Sequence, residues 1–257
     1  MNYVFKLDDW SDELAPEQAD KLKARVMEVL YDPLPSVEKA GDDPVAVLAA
    51  SICSRLVPDV GPLCLARFVR TMEGFLDAVT QQAHDRVCES VPSHQTYITL
   101  RRDSSGCRPC FALLEYAAGI DLPHAIAEHP SVRTMEDASN NFVSWINDIY
   151  SFNVEQARGD THNSVIIVMR EQGLEIQGAM DYVGDLCATA IETFEKARTQ
   201  LPVSGTQVDA DVDAYITGLQ NWMIGSLHWS FASERYFGTQ GMEVKKELKV
   251  KLLPQRA

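Results

Sequence analysis

Apolar residues recur along this chain at steps of three and four, the period of a helix, and almost nowhere at steps of two. Pro16 stands at the favoured first position of a segment in which Leu22, Val26, Met27 and Leu30 share one side. Residues 45–56 are apolar on several sides, which predicts a buried helix. From Pro62 to about residue 87, a stripe of Leu65, Phe68, Val69, Met72, Phe75, Leu76 and Val79 predicts a long amphipathic helix. A short helix is predicted over 96–102, ended by the turn formers Asp103-Ser104-Ser105-Gly106, and another over 109–118 that stops at Gly119. Longer helices follow over 131–156, closed by Arg158-Gly159-Asp160, then over 163–171 and 174–198, parted by Gly173. Residues 201–205 read as a loop, and 208–237 as a last long helix rich in Trp and Tyr. No alternating run between turn pairs predicts a strand, and no internal repeat is present. The pattern predicts one all-α domain over 1–257. Its basic end, 245–257, is expected to be a flexible tail in which at most Leu252 and Leu253 dock.

Composition narrows the classes of function. With 257 residues, 46% apolar and 23% charged, the chain can bury a substantial core. A net charge of −14 argues against nucleic acid as a partner, because phosphate backbones attract Lys and Arg. No apolar run approaches the ~18 residues of a membrane span, and Met1 to Leu7 lack the basic start of a signal peptide. A cytoplasmic protein without stable membrane insertion is expected, as monomer or homodimer. Of six cysteines, Cys53, Cys64 and Cys187 sit among apolar neighbours as buried thiols do. Cys107 and Cys110 form a lone C-x-x-C with neither the strand context of a redox site nor the second pair of a zinc site. The six histidines form no H-x-x-x-H pair.

One stretch departs from what helix stability alone would select. Within the helix predicted over 131–156, Asn147, Ser151 and Glu155 stand at i, i+4 and i+8. Steps of four stay near one face, so the three form a stripe about 12 Å long at ~1.5 Å per residue. An amide carbonyl, a hydroxyl and a carboxylate are hard oxygen donors of the kind Mg²⁺ accepts. Near the N-terminus, Asp8 and Asp12 are also four apart, a like-charge pair that a cation would relieve. Mg²⁺ held by such ligands recruits phosphate oxygens, and a diphosphate calls for cationic donors. Arg101 and Arg102 precede the break at Ser104-Ser105-Gly106, and Arg235-Tyr236 ends the last predicted helix. Trp145, Phe152, Trp222, Trp229, Phe231 and Tyr236 lie near these motifs, and aromatic faces stabilise cations by ~0.5–2 kcal/mol.

Together these residues resemble the class I terpene synthases, most closely the fungal sesquiterpene cyclases. Asp8-Asp9-Trp10-Ser11-Asp12 resembles the aspartate-rich D-D/E-x-x-D motif, and the run from Asn147 to Glu155 matches N-D-x-x-S-x-x-x-E at every defined position. Arg235-Tyr236 matches the family's diphosphate-closing Arg-Tyr pair. Arg101, favoured by spacing over Arg102, resembles the diphosphate-sensing arginine. Asp160-Thr161-His162-Asn163, with Arg158, also recurs in fungal members. The Lys that some members place before the last Glu is Val154 here, with Arg158 nearby. A chain-elongating prenyltransferase would carry a second D-D-x-x-D where Asn147 to Glu155 stands.

The resemblance implies a single helical bundle around an apolar pocket. It implies three Mg²⁺ ions, with Asp8 and Asp12 as ligands on one wall and Asn147, Ser151 and Glu155 on the other. Arg101, Arg235 and Tyr236 are then the catalytic contacts to diphosphate. The implied substrate is a prenyl diphosphate, farnesyl diphosphate first, and the implied reaction is ionisation and cyclisation with release of diphosphate. Similarity over 165–194 leans to a humulyl-type, protoilludene-forming cyclisation. Family members carry helices ahead of the aspartate-rich motif, whereas Met1 stands seven residues before Asp8. An N-terminally shortened catalytic domain is therefore expected, with a non-catalytic helical remnant that binds metal or a partner as the alternative.

Overall fold

The computed structural model describes residues 2–11, 14–33, 41–88, 91–201 and 205–254. Their regular structure is entirely helical: α1 (Asn2–Ser11), α2 (Pro16–Tyr31), α3 (Pro44–Leu56), α4 (Pro62–Val87), α5 (His94–Ser104), α6 (Cys107–Ala118), α7 (His124–Ala127), α8 (Pro130–Arg158), α9 (Ser164–Gln172), α10 (Ile176–Arg198), α11 (Gln207–Ala232), α12 (Glu234–Phe237), a 3₁₀ turn (Gly238–Gln240) and α13 (Gly241–Glu247). No strand occurs among the described residues, as the periodicity predicts. The helices fall into two compact units. One comprises Met1–Ser90, Leu100–His129 and Val203–Tyr215; the other comprises Val91–Thr99, Pro130–Pro202 and Ile216–Ala257.

In the first unit, α4 is the central helix, with α1, α2 and α6 packed on it and α3 packed on α2. The predicted stripe on α4 is buried through Phe68, Met72, Phe75, Leu76 and Val79, and Cys64 takes the inward position at its start. Ala46, Ala49, Ala50 and Cys53 make the buried face of α3, small side chains that let a helix approach closely. Asp43 caps α3 by accepting from the Val45 amide (3.0 Å) and also pairs with Arg25 (2.9 Å). The first turn of α4 is capped from a distance, since the Asp121 carboxylate accepts from the Cys64 amide (2.7 Å). A Cβ on Gly61 would collide with Asp121, so this close approach requires glycine. On α1, Tyr3, Leu7 and Ser11 form the buried row at four-residue steps. Arg86 of α4 donates to the Ser11 carbonyl (3.0 Å), tying down the end of α1.

In the second unit, α8 is 29 residues long and packs along α10, while α9 packs on both. The inward face of α10 is Ala179, Val183, Cys187, Ala190, Phe194 and Ala197, a stripe at steps of three and four. Ser139, Asn140 and Ser144 are fully enclosed on α8; Ser144 donates to Asn140 Oδ1 (3.1 Å) and Ser139 to the Met223 sulfur (3.4 Å).

The chain departs from the predicted elements at its end. The helix expected over 208–237 breaks at Ser233, which is extended at φ −85° and ψ 156°, and restarts as the short α12. Residues 245–254, read from the sequence as a flexible tail, complete α13 and then follow α8. There Asn153 accepts from the Leu253 amide (2.7 Å) and donates to the Lys251 carbonyl (3.1 Å), and Gln156 donates to the Leu253 carbonyl (2.9 Å). No described helix is long and apolar enough to cross a membrane.

Candidate active site

The three predicted ligand residues on α8 are each oriented by a hydrogen bond. Asn147 is half-buried and its amide nitrogen donates to the Tyr236 hydroxyl (2.7 Å). With the nitrogen turned to Tyr236, the amide carbonyl oxygen points the other way. Ser151 is buried, and its hydroxyl donates to the Asn147 carbonyl one turn back (2.8 Å). Its proton is thereby committed to the helix, and the oxygen lone pairs are the groups left to face a ligand. Glu155 is half-buried, with Oε2 accepting from Asn163 Nδ2 (2.9 Å).

This donor set is one amide, one hydroxyl and one carboxylate. Among the described residues no group of three His, Cys, Asp or Glu is gathered as soft or all-acidic metal sites require. The set therefore suits a hard divalent cation that keeps water or phosphate oxygens as further ligands.

Tyr236 stands on α12, in the segment set off by the break at Ser233. Around it Tyr150, Phe231 and Phe237 form one aromatic group: Tyr150 lies 4.9 Å from Phe231 and 5.5 Å from Phe237, and Phe231 stacks on Phe237 at 5.4 Å. Trp229 meets Tyr236 edge-on at 6.2 Å. Of the aromatics singled out in the sequence, Trp229, Phe231 and Tyr236 belong to this group, whereas Trp145 and Phe152 are buried core residues of α8. Tyr150 and Phe237 complete the group and had carried no signal of their own. Burial pushes the Tyr150 phenol up to about 12, so it remains neutral. Arg235 is exposed on α12.

Asp8 is half-buried on α1, beside the Tyr3–Leu7–Ser11 row; Ser11 Oγ donates to the Asp8 carbonyl (2.8 Å). Asp12 lies outside the described residues. Arg101 is half-buried in the last turn of α5. Just beyond it Asp103 pairs with Arg108 (2.7 Å), and Gly106 takes the left-handed conformation at φ +67° that starts α6. Asp8 and Arg101 belong to the first unit, and Asn147, Ser151, Glu155, Arg235 and Tyr236 to the second.

Three residues of the site had no assigned role in the sequence reading: Tyr97, Asp148 and Asn163. Asp148 is 2% exposed, and its carboxylate accepts from the Ser164 amide (3.0 Å) and the Tyr97 hydroxyl (2.8 Å). Asn163 is fully buried at the start of α9. The signal available was the recurring run from Asp160 to Asn163, but its contact with Glu155 exists only in the fold.

A family model described as terpene synthase family 2, C-terminal metal binding, matches residues 1–193. The chain belongs to the terpene synthase family. It is an enzyme of the terpene synthase lyase type, and it is similar to fungal sesquiterpene synthases. Sesquiterpene synthase 3 of Postia placenta is 46% identical over 254 residues, covering 99% of this chain and 69% of the relative. The α-muurolene synthase of Coprinopsis cinerea is 44% identical over 257 residues, covering 98% of this chain and 60% of the relative. Among solved structures, the linalool/nerolidol synthase of Streptomyces clavuligerus in complex with 2-fluorogeranyl diphosphate superposes with a TM-score of 0.78 at 24% identity. That match covers 89% of this chain and 78% of the bacterial one, and it supports the fold. The all-α class expected from the sequence is thus the fold of class I terpene synthases. Terpene synthases act on prenyl diphosphates, and the matched region of this one is of the family's metal-binding kind.

Proposed function

We propose that this terpene synthase is a Mg²⁺-dependent sesquiterpene cyclase that ionises farnesyl diphosphate, closes a ring on the allylic cation and releases diphosphate. The observation that carries the reading is the hydrogen bond from Asn147 to Tyr236. It joins the ligand stripe of α8 to the Arg-Tyr pair across 89 residues of sequence. It supports reading the Arg-Tyr pair, weak as a string, together with the specific N-D-x-x-S-x-x-x-E motif.

In this reading Asn147 Oδ1, Ser151 Oγ and Glu155 hold divalent cations on α8. Asp8 and Asp12 serve as further ligands by their match to the aspartate-rich motif, and three Mg²⁺ ions accompany the bound diphosphate. Bound cations supply charge neutralisation for the departing diphosphate. Arg235 and Tyr236 donate to the same oxygens from α12, and Arg101 is given a diphosphate-binding role by its match to the family's diphosphate-sensing arginine alone. The rings of Tyr150, Phe231 and Phe237 exclude water beside the ligand stripe and offer π faces to a cation. Fifteen-carbon substrate length is supported by the names of the relatives.

The test is to incubate the protein with farnesyl or geranyl diphosphate and Mg²⁺, assay diphosphate release and identify products by gas chromatography. Farnesyl diphosphate should give cyclic hydrocarbon or alcohol. Asn147→Ala and Glu155→Ala should each lower turnover by about 100-fold or more, the scale of losing a group that stabilises the departing charge. Wild-type turnover in either variant would remove the metal assignment.

A further inference from the structure

Glu155 does not stand alone on α8. Asn163 places one side-chain amide between two acceptors, donating from Nδ2 to Glu155 Oε2 (2.9 Å) and to the Asp148 main-chain carbonyl (2.7 Å). Its other atom, Oδ1, accepts from the Val165 amide (2.8 Å) and so caps α9. Both ends of the Asn163 side chain are therefore engaged, and with full burial its rotamer is fixed. The segment carrying it is fixed in turn by Asp148, whose carboxylate holds the Ser164 amide, while the Tyr97 hydroxyl lies 2.8 Å from that carboxylate and 3.2 Å from the His162 carbonyl. Neutral Asn suits this place. It donates to a carboxylate without neutralising it, so Glu155 keeps its full charge for a cation.

We infer that Asn163 is a positioning residue that presents Glu155 to the divalent cation, with Asp148 and Tyr97 as the fixed platform beneath it. The helix cap and the metal ligand are thus set by one side chain, and the order of the 159–163 segment governs metal affinity. This inference rests on Glu155 being a metal ligand as proposed above. Hydrogen-bond partners of metal ligands change metal affinity by ~10–100-fold when removed.

The experiment is a titration of the whole protein with Mn²⁺ in the presence of inorganic diphosphate, read by the loss of the free Mn²⁺ EPR signal. Asn163→Thr keeps an oxygen to cap α9 and removes the side-chain amide nitrogen that reaches Glu155 and the Asp148 carbonyl. It should weaken Mn²⁺ binding by about 10–100-fold, with a thermal midpoint close to wild type. In a Glu155→Ala background the same substitution should change Mn²⁺ affinity by less than about twofold, since coupled residues are not additive.

A folded Asn163→Thr protein that binds Mn²⁺ like wild type, while Glu155→Ala binds it weakly, overturns the positioning role and leaves Glu155 as a ligand. If Glu155→Ala binds Mn²⁺ as wild type does, both the ligand assignment and this inference fall. A measurement on the unaltered protein covers the case in which Thr at 163 prevents folding. The ¹⁵N side-chain resonance of Asn163 should shift when Mg²⁺ and diphosphate are added together, and an unmoved resonance overturns the proposal.

Discussion

Glu115 shows how far a single residue's role depends on partners distant in sequence. It is 1% exposed on α6, and its carboxylate is gripped by both Arg67 Nε (2.7 Å) and Arg67 Nη2, while Oε2 also accepts from the Leu122 amide (2.7 Å). Arg67 donates further to the Leu122 carbonyl (2.9 Å). This bidentate pair clamps α4, α6 and the connection after α6. It contributes through completeness, because removing Glu115 leaves the buried Arg67 guanidinium only the longer pairing with Asp121 (3.6 Å). Glu115→Ala is expected to cost about 3–5 kcal/mol of stability, measured by urea unfolding. Replacing both members, Arg67→Met with Glu115→Leu, should cost clearly less than the single change. A Glu115→Ala loss under 1 kcal/mol would mean that the pair is solvated. Nothing in the sequence marked Glu115, because its partner is 48 positions away and an acidic residue late in an amphipathic helix ordinarily faces water. The stripe proposed to hold metal was legible as a stripe for the opposite reason. Asn147, Ser151 and Glu155 share one helix, so spacing alone aligns them. Asn163 was visible only as part of a recurring string, since its partners Glu155 and Asp148 are reached through the turn between α8 and α9.

At the scale of elements, long amphipathic helices were readable to within a residue or two, because burial of one stripe is recorded in local spacing. The break at Ser233 was not. The apolar and aromatic residues continue through it, and no Pro or Gly stands between Gly225 and Gly238. The break is a tertiary outcome: turning α12 away from α11 places Tyr236 on Asn147 and Phe237 on Phe231. The break before α6 is the contrasting case, since Gly106 records it directly. There φ is +67°, and a Cβ would run into the Val4 side chain of α1. Gly106→Ala should therefore carry two penalties, left-handed strain of ~1–2 kcal/mol and overpacking of ~1–3 kcal/mol. Adding Val4→Ala should recover the second and leave the first. Chemical denaturation of the single and double variants checks this. If the double variant is no more stable than Gly106→Ala, the contact between α1 and the start of α6 is not what glycine serves.

For the whole molecule, pH sets a stability window whose alkaline side is the steeper. Burial raises the thiols of Cys53 and Cys64 from 9.0 to about 11, and those of Cys110 and Cys187 to about 12. The phenol of Tyr3 is raised by burial as well, and that of Tyr150 reaches about 12. In each case the unfolded chain loses its proton first. Between pH 9 and about 11 the unfolded state therefore binds fewer protons than the folded one, and stability falls as pH rises. With four thiols acting together on a chain that already carries −14, deprotonation adds self-repulsion in the same direction. On the acid side, burial lowers the His94 pKa, so the unfolded chain takes up that proton first and stability declines as pH drops through 6.5. The thermal midpoint under reducing conditions should hence be highest between about pH 7 and pH 9 and drop progressively from pH 9 to pH 11. Replacing Cys187 with Val and Cys53 with Ala should flatten that decline without moving the acid limb. The same burial predicts native thiol reactivity: Cys88 is the exposed cysteine, so one thiol should react promptly with a disulfide reagent at pH 8. The other five should react only as the chain unfolds. Rapid labelling of more than one site, or a flat midpoint from pH 9 to pH 11, would show that the cores of these units admit water and hydroxide.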